Sequence, residues 1–255
     1  MKRTVLVATL LLLGAANCSF NHLGQVNPAT VNFDGYMLAL MWPRGQCAVT
    51  KCAASVIPSK LSFTVHGLWP ASFDPQIVLG PTDCTKASDF SSKKLTTTVQ
   101  TALQMLWPSM TNPNENFWRH EYEKHGTCWL PDSADLSKVP AALKQHISTA
   151  ITNKSNKLKL QESYFLTTFA LTNQLRLEAS LVAAGFGPRA QPYNRQDFLA
   201  ALKKISKSQK VTIMCEMRSN ILSEIRVCFD KNYQPADCAK DIVSNCNGKD
   251  LVFPA

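Results

Sequence analysis

Three observations predict an α+β fold. Short apolar runs with strand character lie near both ends of the chain, helix-forming stretches fill the middle, and eight of the nine cysteines are spread from Cys47 to Cys246. Strands at both ends with helices between them make an α+β domain, and cysteines in an exported chain become disulfides. No long Pro/Gly/Ser linker, low-complexity tract or internal repeat divides the chain, so one domain of about 235 residues is expected after a leader is removed.

The leader comes first. Met1, Lys2 and Arg3 precede an apolar run from Val5 to Leu13 and then small residues, the pattern of a secretory signal peptide over residues 1–18. The run is about half the ~20 residues a membrane helix needs, so the expectation is a secreted, extracellular protein with no membrane anchor and a mature domain over 19–255. Cleavage after Ala16 or after Cys18 decides whether Cys18 survives. Removing Lys2 and Arg3 takes the formal charge from +9 to +7. A basic protein suits a polyanion partner, because cationic side chains near phosphates release counterions, although the same excess serves solubility.

Tyr36–Trp42 and Leu61–Val65 read as strands, bounded by Gly35, Pro43, Pro58 and Gly67. Tyr164–Ala184 is a long helix-forming stretch ended by Gly185 and Gly187-Pro188. A helix carrying Phe198, Leu199, Leu202 and Ile205 follows a candidate Asn194 cap with Asp197 three residues on; Lys203, Lys204 and Lys207 on its last turns suit the helix dipole. Val211–Met217 and Ile221–Phe229 pair as strands about the turn Arg218-Ser219-Asn220. In the second of these, Ile221, Ile225, Val227 and Phe229 take one face, and Glu224 and Arg226 the other.

Cys47, Cys52, Cys84, Cys128, Cys215, Cys228, Cys238 and Cys246 form an even set. On the order of a hundred pairings are open, with Cys47 and Cys52 near enough to close a small loop. No CxxC pair points to zinc, and neither metal nor cofactor is expected.

Two stretches carry chemistry: Phe63-Thr64-Val65-His66-Gly67-Leu68-Trp69-Pro70, and Trp118 to Cys128 with His120, Glu121, Lys124 and His125. RNA brings its own nucleophile, the 2′-hydroxyl. An enzyme that cuts it without metal needs one group to take that proton and another to protonate the departing 5′-oxygen, and two imidazoles suit both tasks near neutrality. On a helix over Phe117–Cys128, Glu121, Lys124 and His125 share a face, with His120 at its edge. A base, a cation and a carboxylate then converge on one phosphate, whose developing charge needs cations or donors. A lone histidine is usually structural, and Glu121 with Lys124 or His125 is an ordinary helix pair. A string as particular as His66-Gly67-Leu68-Trp69-Pro70 arises by chance on the order of once in ten thousand such chains, and the second string supplies the complementary chemistry.

With both strings, Phe33-Asp34 leading to Trp42-Pro43 and Cys47, the cysteine spacing and the closing Phe253-Pro254, the chain resembles the ribonuclease T2 family over nearly its whole mature length, and specifically the plant branch that includes the self-incompatibility S-RNases. The resemblance implies a central antiparallel sheet with flanking helices and a metal-free endoribonuclease acting through a 2′,3′-cyclic phosphate. It implies His125 as general base, His66 as general acid, Glu121 and Lys124 as transition-state stabilisers, and His120 as phosphate binder. It also implies the disulfides Cys47–Cys52, Cys84–Cys128, Cys215–Cys246 and Cys228–Cys238. Met41 stands where the family usually has glutamine, and Ala71 where a polar or acidic residue is common, so base preference is not carried over. Trp69 and Phe117, the latter with the Asn112–Asn116 loop, are candidates for stacking on bases.

Asn153-Lys154-Ser155 is a glycosylation signal in a polar stretch. The expected protein is a monomeric, secreted endoribonuclease on single-stranded RNA. A basic plant-type member suggests the style-side cytotoxin of self-incompatibility, with pollen F-box proteins as partners. The alternatives are a ribonuclease of defence or phosphate salvage, and a secreted recognition protein that no longer cleaves; retention of His66, His120, Glu121, Lys124 and His125 argues against the latter.

Overall fold

A computed structural model describes residues 33–52, 62–73, 80–85, 90–111, 113–239 and 244–255. Residues 1–18, where a leader is expected, and Asn112 lie outside these. Strand β1 (Gly35–Met41) is an inner strand of the sheet, antiparallel to β2 (Thr64–Ala71) on one side and to β5 (Ile221–Asp230) on the other. The path runs β2-β1-β5-β4, with β4 at Thr212–Glu216 and the two-residue β6 (Pro235–Ala236) also on β5. A small second sheet joins β3 (Tyr193–Asn194) to β7 (Asp250–Leu251).

Alternation along these strands sorts the residues. Tyr36, Leu38 and Leu40 of β1, Val65 and Leu68 of β2, and Ile225 and Val227 of β5 are at most 1% exposed and share one hydrophobic cluster running from Phe33 to Phe253. The opposite face carries Met37, Ala39 and Met41 on β1, Gly67 and Trp69 on β2, and Glu224 and Arg226 on β5, matched by register. Two bulges interrupt the ladders. Ala39 pairs with Gly67 but Leu40 with Val65, leaving His66 as the extra residue; Met214 pairs with Glu224 but Cys215 with Leu222, leaving Ser223 as the extra one. The second bulge corrects the sequence reading, because it reverses the alternation before Ser223. Leu222, not Ile221, is the fully buried residue.

The strand expected over Leu61–Val65 instead begins at Thr64 and continues through Trp69-Pro70 to Ala71; Leu61 lies outside the described residues. Pro70 is tolerated because β2 is an edge strand. His66 and Leu68 turn their carbonyls away from β1, and in the same phase the missing N–H of Pro70 leaves no rung unmade. Those outward carbonyls are satisfied by side chains: Trp107 Nε1 donates to His66 O at 2.8 Å and Tyr164 Oη to Leu68 O at 2.9 Å. Trp118 Nε1 in turn donates to Trp107 O at 2.6 Å.

Seven helices accompany the sheets among the described residues: α1 (Pro43–Val49), α2 (Thr97–Leu106), α3 (Asn114–Lys124), α4 (Ala141–Thr152), α5 (Lys157–Leu175), α6 (Leu177–Ala183) and α7 (Arg195–Ser206). The stretch read as one helix over Tyr164–Ala184 is two, broken at Arg176 with φ 46°. No glycine or proline marks that break, so only packing reveals it. Gly185, at φ 88°, ends α6 as expected. Asn194 caps α7, its side chain accepting from Gln196 N and Asp197 N.

The disulfides are Cys47–Cys52, Cys84–Cys128, Cys215–Cys246 and Cys228–Cys238. The closing segment is held by Trp42, which is fully buried, packs edge-on to Phe253 and donates Nε1 to Pro254 O at 2.9 Å. Asn153 is the C-cap of α4, its Nδ2 donating to Thr149 O. No helix among the described residues is long and apolar enough to cross a membrane.

Candidate active site

The bulge on β2 and the last turns of α3 bring the two sequence strings together. Glu121, on the buried side of α3 and 2% exposed, accepts from Trp69 Nε1 through Oε2 at 2.8 Å, and its Oε1 lies 3.8 Å from His66 Nε2. Gly67 makes this contact possible: a Cβ there would collide with both Trp69 Nε1 and Glu121 Oε2. The helix expected over Phe117–Cys128 ends at Lys124. His125 is its C-cap, and a 3-10 turn over Gly126–Cys128 leads into the Cys84–Cys128 disulfide.

The Trp69 ring contacts both histidines, its centroid 5.0 Å from that of His66 and 5.2 Å from that of His125. It therefore touches both rings, with its Nε1–H committed to Glu121. Phe117 is placed differently. Its ring lies 5.8 Å from that of His66, and it lines a cleft of about 250 Å³ with Met41, Gln46, His66, His120 and Glu121. His120 is exposed at this cleft. A larger hollow of about 690 Å³, lined by Leu40, Phe63, Arg176 and Leu177 among others, contains no histidine. The smaller cleft gathers His66, His120 and Glu121, while Lys124 and His125 are not among its lining residues; His125 meets the group through the Trp69 ring.

The environment drives the two imidazoles apart. Burial lowers the His125 pKa, and the charges of Lys124, His120 and His66 lower it further, to about 3. Burial also works against a charged His66, but the hydrogen bond and charge of Glu224 with the charge of Glu121 outweigh it, Arg226 opposing, and hold this ring above the ordinary 6.5. Burial raises the Glu121 carboxyl above its usual range, against His66, the Trp69 hydrogen bond and His120. His125 is therefore neutral near neutrality, while His66 is biased toward its charged form.

Sequence reasoning missed Glu224 and Arg226. Glu224 Oε2 is 2.5 Å from His66 Nδ1, and Glu224 Oε1 accepts from Arg226 Nε at 2.5 Å. The signal was available, since both lie on the polar side of an otherwise apolar strand, but nothing local says what that side faces. Among the described residues no cluster of three or more His, Cys, Asp or Glu side chains is arranged to hold a metal ion.

The family model of the Ribonuclease T2 family matches residues 33–238. Among curated proteins the chain is 27% identical to Ribonuclease DdI of Dictyostelium discoideum, over 98% of this chain and 96% of that one. It is 28% identical to Ribonuclease S-7 of Nicotiana alata, over 80% and 81%. Among solved structures, a mutant of RNase MC1 in complex with 5′-GMP is 25% identical with a TM-score of 0.63, covering 87% of this chain and all of that one. The family match spans the sheet, both histidine strings and seven of the eight disulfide cysteines, and on that ground the chain belongs to the Ribonuclease T2 family and is an endoribonuclease.

Proposed function

We propose that the chain cleaves single-stranded RNA by metal-independent transphosphorylation, with His125 as general base and His66 as general acid. The observation that carries this is the contact of both imidazoles with the one Trp69 ring, where burial keeps His125 neutral and the Glu224 and Glu121 carboxylates favour a charged His66. His125, neutral, takes the 2′-hydroxyl proton; the 2′-oxygen bonds to phosphorus and the bond to the 5′-oxygen breaks, that oxygen receiving the proton of His66 Nε2. The product is a 2′,3′-cyclic phosphate. In the second stage the roles reverse: His66 takes a proton from the attacking water, the bond to the 2′-oxygen breaks, and His125 returns the proton to it, leaving a 3′-phosphate.

Lys124 enters no ion pair among the described residues, which suits it to the phosphorane charge, and exposed His120 suits a phosphate oxygen. Glu121, its Oε2 held by Trp69 and its Oε1 beside His66 Nε2, is placed to act on the reacting phosphate through His66. Phe117, at the cleft wall, offers a face to a base.

The leader over 1–18 and the disulfides support an exported protein with one ribonuclease domain over 19–255, glycosylated at Asn153. Basic charge favours a self-incompatibility role with pollen F-box partners over defence or phosphate salvage. Near-equal identity to a Dictyostelium and a Nicotiana protein favours no branch. Style-restricted expression supports the role, and starvation-induced leaf expression sinks it.

The test of the chemistry is cleavage of a defined single-stranded RNA in EDTA by the oxidised protein. Cyclic-phosphate ends are expected, with losses of about 10²–10⁴-fold in His66→Ala and in His125→Ala. Intact RNA after incubation with correctly disulfide-bonded protein would instead point to the recognition role.

A further inference from the structure

Glu224 reaches His66 across the whole width of β1. On the face that carries the site, Ala39 pairs with Gly67 on one side and Arg226 on the other, so at that rung β1 puts only a methyl group between β2 and β5. Glu224, the register partner of Met41, thus extends over β1 to the bulged His66, 158 residues away in sequence. Its carboxylate is divided: Oε2 meets His66 Nδ1 and Oε1 meets Arg226 Nε, each at 2.5 Å. The Arg226 guanidinium lies 5.3 Å from the Trp69 centroid. Trp69 bonds Glu121, and Glu121 faces His66 Nε2. Four side chains from β2, α3 and β5 therefore close a circuit around one imidazole.

We propose that Glu224, anchored by Arg226, is the positioning residue of His66: it holds Nδ1–H, fixes the tautomer and turns Nε2 toward the cleft. The inference rests on the acid role proposed for His66. With Nδ1–H held, the proton given to the 5′-oxygen leaves from Nε2, and the lone pair that remains there is the one needed to accept a proton from water in the second stage. Glu121 does not compete, because its oxygen stands beside Nε2 and at 3.8 Å, beyond hydrogen-bond reach. Glu224 is 4% exposed. Although burial opposes its charge, His66 and Arg226 hold its carboxyl below the usual range, so it remains an anion at neutral pH. The groups facing His66 are Glu224 and Arg226 from β5, Glu121 and His120 from α3, and His125 from the α3 cap, with Trp69 and Phe117 as ring contacts.

The experiment pairs an NMR titration of the His66 imidazole nitrogens with kcat and kcat/KM against pH, in wild type, Glu224→Gln, Glu224→Asp and Arg226→Gln. Glu224→Gln can still accept from Nδ1–H but carries no charge. Expected are a His66 pKa below the wild-type value, a descending limb of kcat/KM shifted the same way, and a kcat lowered by up to about 10⁴-fold, the scale at which a carboxylate that orients a catalytic histidine acts in the serine-protease triad. KM should change little, and Glu224→Asp should restore part of kcat. Arg226→Gln removes a cation that opposes protonation, so it should move His66 and the limb to higher pH. That opposite sign tests the circuit even if Glu224→Gln fails to fold. An unmoved His66 titration in folded Glu224→Gln overturns the hold; a moved titration with an unmoved limb overturns its part in catalysis. Failure of the acid assignment reads separately, as cleavage by His66→Ala at the wild-type rate.

Discussion

The Trp69 indole donates to the Glu121 carboxylate at 2.8 Å across 52 residues of sequence, joining the two halves of the active site by one hydrogen bond. Trp69→Phe keeps an aromatic face and removes the donor. A buried carboxylate left unpaired costs about 1–3 kcal/mol, so we expect a comparable loss of stability and kcat lowered by tenfold or more, with KM little changed. A stacking role alone would leave both constants near wild type, so steady-state kinetics separate the two.

Gly67→Ala tests the same contact from below. The added methyl must displace Trp69 or Glu121, and overpacking of this kind costs about 1–3 kcal/mol. A folded protein with lowered melting temperature and strongly reduced kcat is expected. Wild-type kinetics would show that the contact is dispensable.

The kcat/KM profile should be a broad bell. On the proposed roles its acid limb should report His125, depressed to about 3, and its alkaline limb His66, held above 6.5. A bound phosphate offsets the cations that depress His125, so the acid limb of kcat should stand at higher pH than that of kcat/KM. Stability carries the same signs. The His125 contribution is full above 6.5 and lost as pH falls to about 3. That of Glu224 is lost below the usual carboxylate range. That of His66 is full below 6.5 and lost as pH rises through its folded pKa. Thermal melts against pH should therefore decline on both sides of neutrality.

The Cys84–Cys128 disulfide spans 44 residues and closes beside His125, whereas Cys47–Cys52 spans 5. Loop entropy alone makes the longer link worth about 2 kcal/mol more. Replacing Cys84 and Cys128 by alanine should lower the denaturant midpoint more than replacing Cys47 and Cys52, and should also lower kcat, since it releases the turn that follows His125. Equal effects of the two pairs would count against this.

Much was legible in the sequence because it is local. Apolar alternation marks β1, β4 and most of β5; the Asn194 cap and Gly185 mark helix ends; and the two histidine strings carry their own chemistry. What failed shares one cause. Pro70 in a strand, the break at Arg176 and the phase change at Ser223 are each permitted by a neighbour distant in sequence or in space: an unpaired edge, a packed helix, a bulge against β4. By itself the sequence determined which residues are acids, bases and cations, the α+β class and the motif by which the family is recognised. Tertiary structure alone decided which way each imidazole is shifted, His125 down and His66 up. Protonation depends on burial and on carboxylates brought from other strands, and the one that holds His66 arrives from Glu224, 158 residues away, across a strand whose small Ala39 leaves the way open.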